Sequence, residues 1–283
     1  MSLTTTAKVK AFAGITSTEF DDQLDAIIPL VSSLIEAQLD RTIESATYRE
    51  WLDGSGERYQ RVTEYPVTRI FQAAYAVNSA VSLYFSGGSM ATVSVQDATL
   101  KLFSVSSAGV EADADLDLAT YPTITLLVAQ INATGGWSAT TETNRGSDYS
   151  LNIKPFDTQH ALSPDTADLY TPDEAIDVRV ADRGEYLLET IGGGGFPKGR
   201  SNVFVWYTGG YTTVPGGLEA FANQIALDTM YGAQRDGSLS SEKIGNYQYQ
   251  VGTGGSGVAV KGMANALVQQ RIAAISAWRR LTI

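Results

Sequence analysis

The stretch Ile191 to Tyr211, IGGGGFPKGRSNVFVWYTGGY, combines a glycine run with a lysine, the residue types of a phosphate cradle. A nucleotide loop of the G-x-x-x-x-G-K-[ST] type lies between a strand and a helix, so that helix amides and the lysine both face phosphate. Here Lys198 is followed by Gly199 and Arg200, so the hydroxyl that would hold magnesium is missing, and Pro197 removes a backbone donor. The β-branched and aromatic run VFVWY that follows predicts a strand in place of the helix. The stretch is therefore read as a flexible corner ahead of a strand.

Other candidates are sparse. His160 is the one histidine of the chain, which excludes a multi-histidine metal centre and leaves a single candidate base, in the polar segment DTQHALSPD. No G-x-S-x-G elbow accompanies it. Glu111, Asp113, Asp115 and Asp117 place hard oxygens at alternate positions, as in part of a calcium loop, but the central glycine and terminal glutamate are missing, so a solvated acidic turn is expected. The C-terminal segment gathers Arg271, Trp278, Arg279 and Arg280. These residues either complement the negative end of a helix or form a docking patch of the Trp and Arg type that dominates interfaces. No catalytic residue, cofactor-binding residue or metal ligand is assigned.

The 283 residues suffice for one large domain or two ordinary ones without disulfides, and there is no cysteine to form them. Acidic residues outnumber basic ones, 31 to 20, and the resulting charge of −11 opposes attraction to nucleic acid or to an anionic membrane. The opening MSLTTTAKVKAFAG lacks the apolar core of a signal peptide, and no run approaches the roughly 20 apolar residues of a membrane span, so an unexported soluble protein is expected.

Thr5 or Thr6 can cap a helix from Ala7 to Ala13 that Gly14 ends. A second helix, begun near Thr18, carries Phe20, Leu24, Ile27, Ile28, Val31, Leu34, Ile35 and Leu39 in one stripe, with a kink expected at Pro29. Tyr48–Leu52 and Tyr59–Thr63 flank Asp53-Gly54-Ser55-Gly56 as a predicted hairpin, and Pro66 opens an extended piece. Val81–Phe85, Ala91–Val95 and Leu100–Val105 alternate as strands, while Ile124, Leu127, Val128 and Ile131 mark a short helix. Residues 143 to 182 predict irregular loops with up to two short strands. Pro215 starts a helix bearing Leu218, Phe221 and Ile225, and Met263 to Ile275 predict a last helix beyond a glycine- and serine-rich mobile stretch, 235 to 257.

Val9-Lys10-Ala11-Phe12-Ala13-Gly14-Ile15 precedes the long helix, and Arg41 follows it. Tyr65-Pro66-Val67 follows the hairpin, and Val203 to Tyr211 leads through a Gly-Tyr turn to Pro215 and Leu218. Ser240 to Tyr247 and Ala277-Trp278-Arg279-Arg280-Leu281 complete the series. In this order the motifs resemble the tailed-phage head-tail connector proteins, or head-completion adaptors. The resemblance covers residues 1 to 80 and 200 to 283, with 81 to 199 as an insertion larger than small connectors carry. It implies an α+β fold: a helical bundle with a small β element, plus an inserted strand-rich domain.

By the same resemblance the protein is a non-enzymatic virion component of the neck, assembled in the host cytoplasm. It would form a ring, usually dodecameric, under the portal protein, extend the DNA channel and dock a tail terminator, stopper or other neck protein. DNA would pass through without sequence-specific binding. The portal-binding residues implied are Trp278, Arg279 and Arg280, and the 235 to 257 loop would meet a neighbouring ring component. The alternatives are a tail-completion or collar protein holding fibres, or a glycan-binding or glycan-cleaving β protein using Trp137, Trp206 and loop acids.

Overall fold

A computed structural model describes residues 2–182, 184–234, 241–244 and 247–250. The helices among them are α1 (Thr6–Ala13), α2 (Asp21–Leu39), α3 (Ile124–Ala133) and α4 (Gly216–Gln234). The strands begin with β1 (Ala46–Gly54), β2 (Tyr59–Arg61), β3 (Val67–Tyr75), β4 (Ser79–Phe85), β5 (Gly88–Gln96), β6 (Thr99–Ser106), β7 (Glu111–Asp117) and β8 (Trp137–Thr141). They continue with β9 (Phe156–His160), β10 (Ala167–Tyr170), β11 (Glu174–Ala175), β12 (Val178–Val180), β13 (Leu187–Thr190), β14 (Gly199–Gly209), β15 (Ser241–Ile244) and β16 (Tyr247–Gln250).

The chain divides into two compact units. The first takes Met1–Ala46, Thr63–Pro66 and Gly209–Ile283, and the second takes Thr47–Val62 and Val67–Thr208.

In the first unit, the Thr5 hydroxyl accepts the Lys8 N–H at 3.4 Å and starts α1. Gly14, at φ 69°, ends it in the left-handed conformation. Asp21 and Asp22 stand in the first turn of α2, where the helix dipole favours them. The helix runs on through Pro29, which lies on its exposed side. Leu24, Ile27, Ile28, Val31, Ile35 and Leu39 form its buried stripe and pack with Leu218, Ala222, Ile225 and Met230 of α4. Burying each such side chain contributes roughly 1.5–3 kcal/mol before entropic costs. Pro215 precedes α4, and its carbonyl accepts the N–H groups of Leu218 and Glu219, both at 2.9 Å.

The second unit is built of sheets. One has the order β7-β6-β5-β9 and another β10-β4-β8, with antiparallel neighbours in both. Alternate residues Val81 and Leu83, Val93 and Val95, Leu100 and Leu102 point inward and share a core with Ile124, Leu127, Val128 and Ile131 of α3. β5 and β6 join through Asp97 and Ala98, at φ 48° and 58°, between the paired Gln96 and Thr99. Both φ angles are positive, as a two-residue hairpin turn compatible with strand twist requires. A four-stranded sheet, β1-β14-β3-β11, carries Val203, Val205 and Tyr207 into a second core with Val62, Val67, Leu188 and Phe196. A smaller sheet has the order β12-β13-β2.

The expectation of a helical bundle with a small β element is corrected. Strand accounts for 40% of the described residues and helix for 25%, so sheets dominate among them. The physical reason lies in strands too short or too polar to announce themselves. The acidic 111–117 stretch is the strand β7, held by register with Lys101 and Leu100, and not a turn. The polar 143 to 182 segment supplies β9, β10, β11 and β12. Tyr48–Leu52 and Tyr59–Thr63 do not pair with each other: β1 lies beside β14, while β2 lies beside β13.

The intervening glycines serve another purpose. A Cβ on Gly54 would fall 1.8 Å from the Pro197 carbonyl oxygen, so the reversal is packed against the 195–199 backbone, which only glycine permits.

Candidate functional site

The GGGGFPKG stretch is a corner clamped to that reversal. Phe196 is buried in the sheet core and its N–H donates to the Glu57 carbonyl at 2.8 Å. The Asn202 amide nitrogen donates to the Pro197 carbonyl at 3.0 Å, and its oxygen accepts from the Gly54 N–H at 2.9 Å. A Cβ on Gly56 would meet Lys198 side-chain carbon at 3.1 Å, so the lysine stem lies along the reversal. β14 follows directly, in place of the helix that a phosphate cradle requires.

His160 ends β9 on the surface, with Nδ1 3.3 Å from Asp165 Oδ2. Both side chains are more than half exposed, so solvent screens the pair. Glu111, Asp113, Asp115 and Asp117 occur at alternate positions on the edge strand β7, with Leu116 of the same strand buried in the core. Like charges on an edge oppose pairing with a further strand. Among the described residues no group of three His, Asp or Glu side chains is placed to hold a metal ion. Trp137 is buried, with its ring centre 5.4 Å from that of Phe85.

Part of the residues that carry the family resemblance lies in the first unit, while the hairpin residues, Val67 and Val203 to Thr208 lie in the second. Val9 is fully buried and Lys10 pairs with Asp21 at 2.7 Å. Arg41, just beyond α2, has a buried side chain whose Nη2 donates to the Tyr65 carbonyl. Its guanidinium carbon lies 3.7 Å from the Tyr65 ring centre and 5.9 Å from that of Tyr211. Nε stands 3.8 Å from Glu64 Oε2, and the Tyr65–Pro66 peptide is cis.

Gly210, at φ 95°, donates its N–H to the Pro66 carbonyl at 3.1 Å. A Cβ there would lie 2.5 Å from the Glu44 carbonyl oxygen. The Tyr211 N–H donates to Ile43 at 2.8 Å, and its carbonyl accepts from Ser45 at 3.0 Å. One arginine and one glycine-tyrosine turn thus fasten three separated pieces of chain.

A second constellation lies on the four-stranded sheet of the second unit. Arg49 on β1 covers the Trp206 ring of β14 at 4.3 Å, and Trp206 stacks on Phe71 of β3 with ring centres 4.9 Å apart. Arg69 covers Phe71 at 4.5 Å, and Tyr149 meets Trp206 edge-on at 6.0 Å. Along the same strands Trp51 packs on Phe204, 5.3 Å between centres. The indole Nε1 atoms of Trp51 and Trp206 are buried without an acceptor. Sequence reading missed this ladder. Its signal was the alternation Arg49-x-Trp51, Arg69-x-Phe71 and Phe204-x-Trp206, which puts each pair on one face of its strand.

Two carboxylates have shifted acidities. Burial pushes the Asp173 carboxyl up, but the N–H groups of Val77 and Asn78, the Asn78 side chain and the charge of Arg145 together hold it below its ordinary value. Glu189 is lowered by its hydrogen bond from Arg179, against a burial penalty, with the charges of Arg179 and Arg58 adding to the effect. Arg179 reaches the single oxygen Oε2 of Glu189 through both Nε and Nη2, at 2.8 and 2.7 Å, a charge-assisted contact that links β12 to β13.

Trp278, Arg279 and Arg280 lie outside the described residues, as does the helix expected from Met263 to Ile275. Within the 235 to 257 stretch, Ser241–Ile244 and Tyr247–Gln250 pair as an antiparallel hairpin. No helix among the described residues is long and apolar enough to cross a membrane. Compared with known protein families and with curated proteins, the chain matches none.

Proposed function

We propose that the chain is a structural virion protein, a head-to-tail connector that forms a ring under the portal, extends the DNA channel and docks the tail. The observation that supports this reading best is that part of its motifs falls in one unit. Val9, Gly14, Arg41, Tyr65-Pro66, Gly210-Tyr211, Pro215 and Leu218 are far apart in sequence, yet all belong to one helical unit made from the chain's two ends.

The charge supports the same reading. A channel lined by a protein of net charge −11 repels phosphate along its length, so DNA slides without being held. A ring uses two different faces of each subunit and needs no reactive pocket. Trp278, Arg279 and Arg280 form the portal-facing patch in this proposal, and the hairpin β15–β16 meets a neighbouring ring component.

Co-sedimentation with portal rings tests the assignment. Trp278→Ala with Arg279→Ala is expected to lower portal attachment at least about tenfold, the scale of a single interface hot spot, with an unchanged circular dichroism spectrum. Undiminished attachment contradicts the assignment of the patch.

A further inference from the structure

Two surfaces of the second unit have complementary chemistry. The first is the ladder on the sheet β1-β14-β3. Arg49 over Trp206, Trp206 on Phe71 and Arg69 over Phe71 form one continuous row, and Tyr149 meets Trp206 edge-on. The row is accessible: Phe71 is 39% and Tyr149 53% exposed, and both arginines are exposed. Neither arginine forms an ion pair among the described residues. A guanidinium stacked on a ring keeps its edge donors for a carboxylate, and aromatic rings among arginines are the composition of interface hot spots. Asp97 shares a cleft with Arg49, so the uncompensated charge is greatest at Arg69.

The second is the outer surface of the sheet β7-β6-β5-β9. Val93, Leu100, Leu102 and Leu116 turn inward to the core with α3, so the residues between them turn outward. Register places Met90, Val105 and Glu111 in one cross-strand row, and Thr92, Phe103 and Asp113 in the next. Met90 is 45% exposed, Val105 and Phe103 are half-buried, and Glu111 and Asp113 are exposed. Asp115 has Lys101 directly across from it, whereas Glu111 and Asp113 stand opposite apolar residues. Apolar side chains thus lie beside two carboxylates without a cation opposite them.

We propose that these two surfaces meet between neighbouring copies of the chain, with Arg49 and Arg69 of one subunit on Glu111 and Asp113 of the next. The rings of Phe71 and Tyr149 then lie against Phe103, Val105 and Met90, an apolar centre with a charged rim. The two surfaces belong to different sheets, so each subunit offers both, and copies join head to tail in the heterologous contact that closes a ring. The inference rests on the ring reading and names one of its subunit contacts.

Charge exchange on the full chain tests it, with assembly followed by sedimentation velocity and folding by circular dichroism. Arg49→Glu with Arg69→Glu should raise the concentration needed for assembly at least about tenfold, because like charges then face each other across the contact. Glu111→Arg with Asp113→Arg should do the same. An equimolar mixture of the two folded double variants should assemble as the parent does, since every contact again joins opposite charges. Lys154→Glu with Arg200→Glu changes the net charge as much as the arginine variant does, away from both surfaces, and should leave assembly unchanged.

A parent that assembles while both double variants assemble equally well overturns this contact and leaves the ring reading standing. A control that weakens assembly as much as the arginine variant, or folded double variants that do not rescue each other, also overturns it. Loss of portal attachment with self-assembly intact in the arginine variant assigns the ladder to another partner and overturns it too. A parent that never assembles contradicts the ring reading itself, and this contact with it.

Discussion

The guanidinium of Arg41 lies 3.7 Å above the ring centre of Tyr65 and donates to that residue's own carbonyl. The contact ties the end of α2 to the four-residue crossing Thr63–Pro66, the piece of the helical unit that interrupts the strand unit in sequence. Glu64, 3.8 Å away and buried, supplies opposing charge. A planar cation is suited to this position, because it can stack on a ring and donate in its own plane at once.

Arg41→Ala should therefore lower stability by about 3 kcal/mol, the usual cost of removing one partner from a buried charge pair. Urea unfolding checks this. Arg41→Lys should recover less than half of the loss, since an ammonium keeps the charge but neither the fork nor the stack.

Two glycines separate conformational strain from steric conflict. Gly14 and Gly210 both have positive φ, yet a Cβ on Gly14 meets nothing within 4 Å, whereas on Gly210 it meets the Glu44 carbonyl oxygen at 2.5 Å. Gly14→Ala should cost about 1 kcal/mol, the left-handed penalty alone. Gly210→Ala should cost clearly more in the same denaturation assay, because the turn must open and its bonds to Pro66 and Ile43 must stretch.

Asp173 gives the second unit an acid-sensitive tie. Its folded pKa is below the ordinary value of 3.8, so its contribution is fully present above that value and is lost as pH falls through the folded pKa. Asp173→Asn should be less stable than the parent at neutral pH, with the difference shrinking below about pH 4. Urea midpoints measured from pH 7 to pH 2 test the sign: a gap that widens on acidification contradicts it.

The parts legible in the sequence were those whose stability is local. Thr5 and Gly14 bracket α1 by capping, and the stripe from Leu24 to Leu39 announces α2 through burial on one face. Strands β5 and β6 could be read because alternation and a tight turn act within a short stretch. Glu174–Ala175 could not, since two residues become a strand only when Tyr75 and Ala74 pair with them. The ladder through Arg49, Trp206 and Phe71 failed for a related reason. Each strand shows an alternating aromatic or arginine, but their adjacency depends on the order β1-β14-β3, which joins segments more than a hundred residues apart. Likewise Gly54 and Gly56 read as a hairpin reversal, because the sequence does not reveal the Pro197 carbonyl beside the first and the Lys198 side chain beside the second.

Electron microscopy of the purified protein, alone and mixed with portal complexes, tests the proposed ring most directly. Annular particles built of repeated subunits, stacked coaxially on the portal, are the predicted result. Particles that stay single at high concentration and leave portal complexes bare would contradict it.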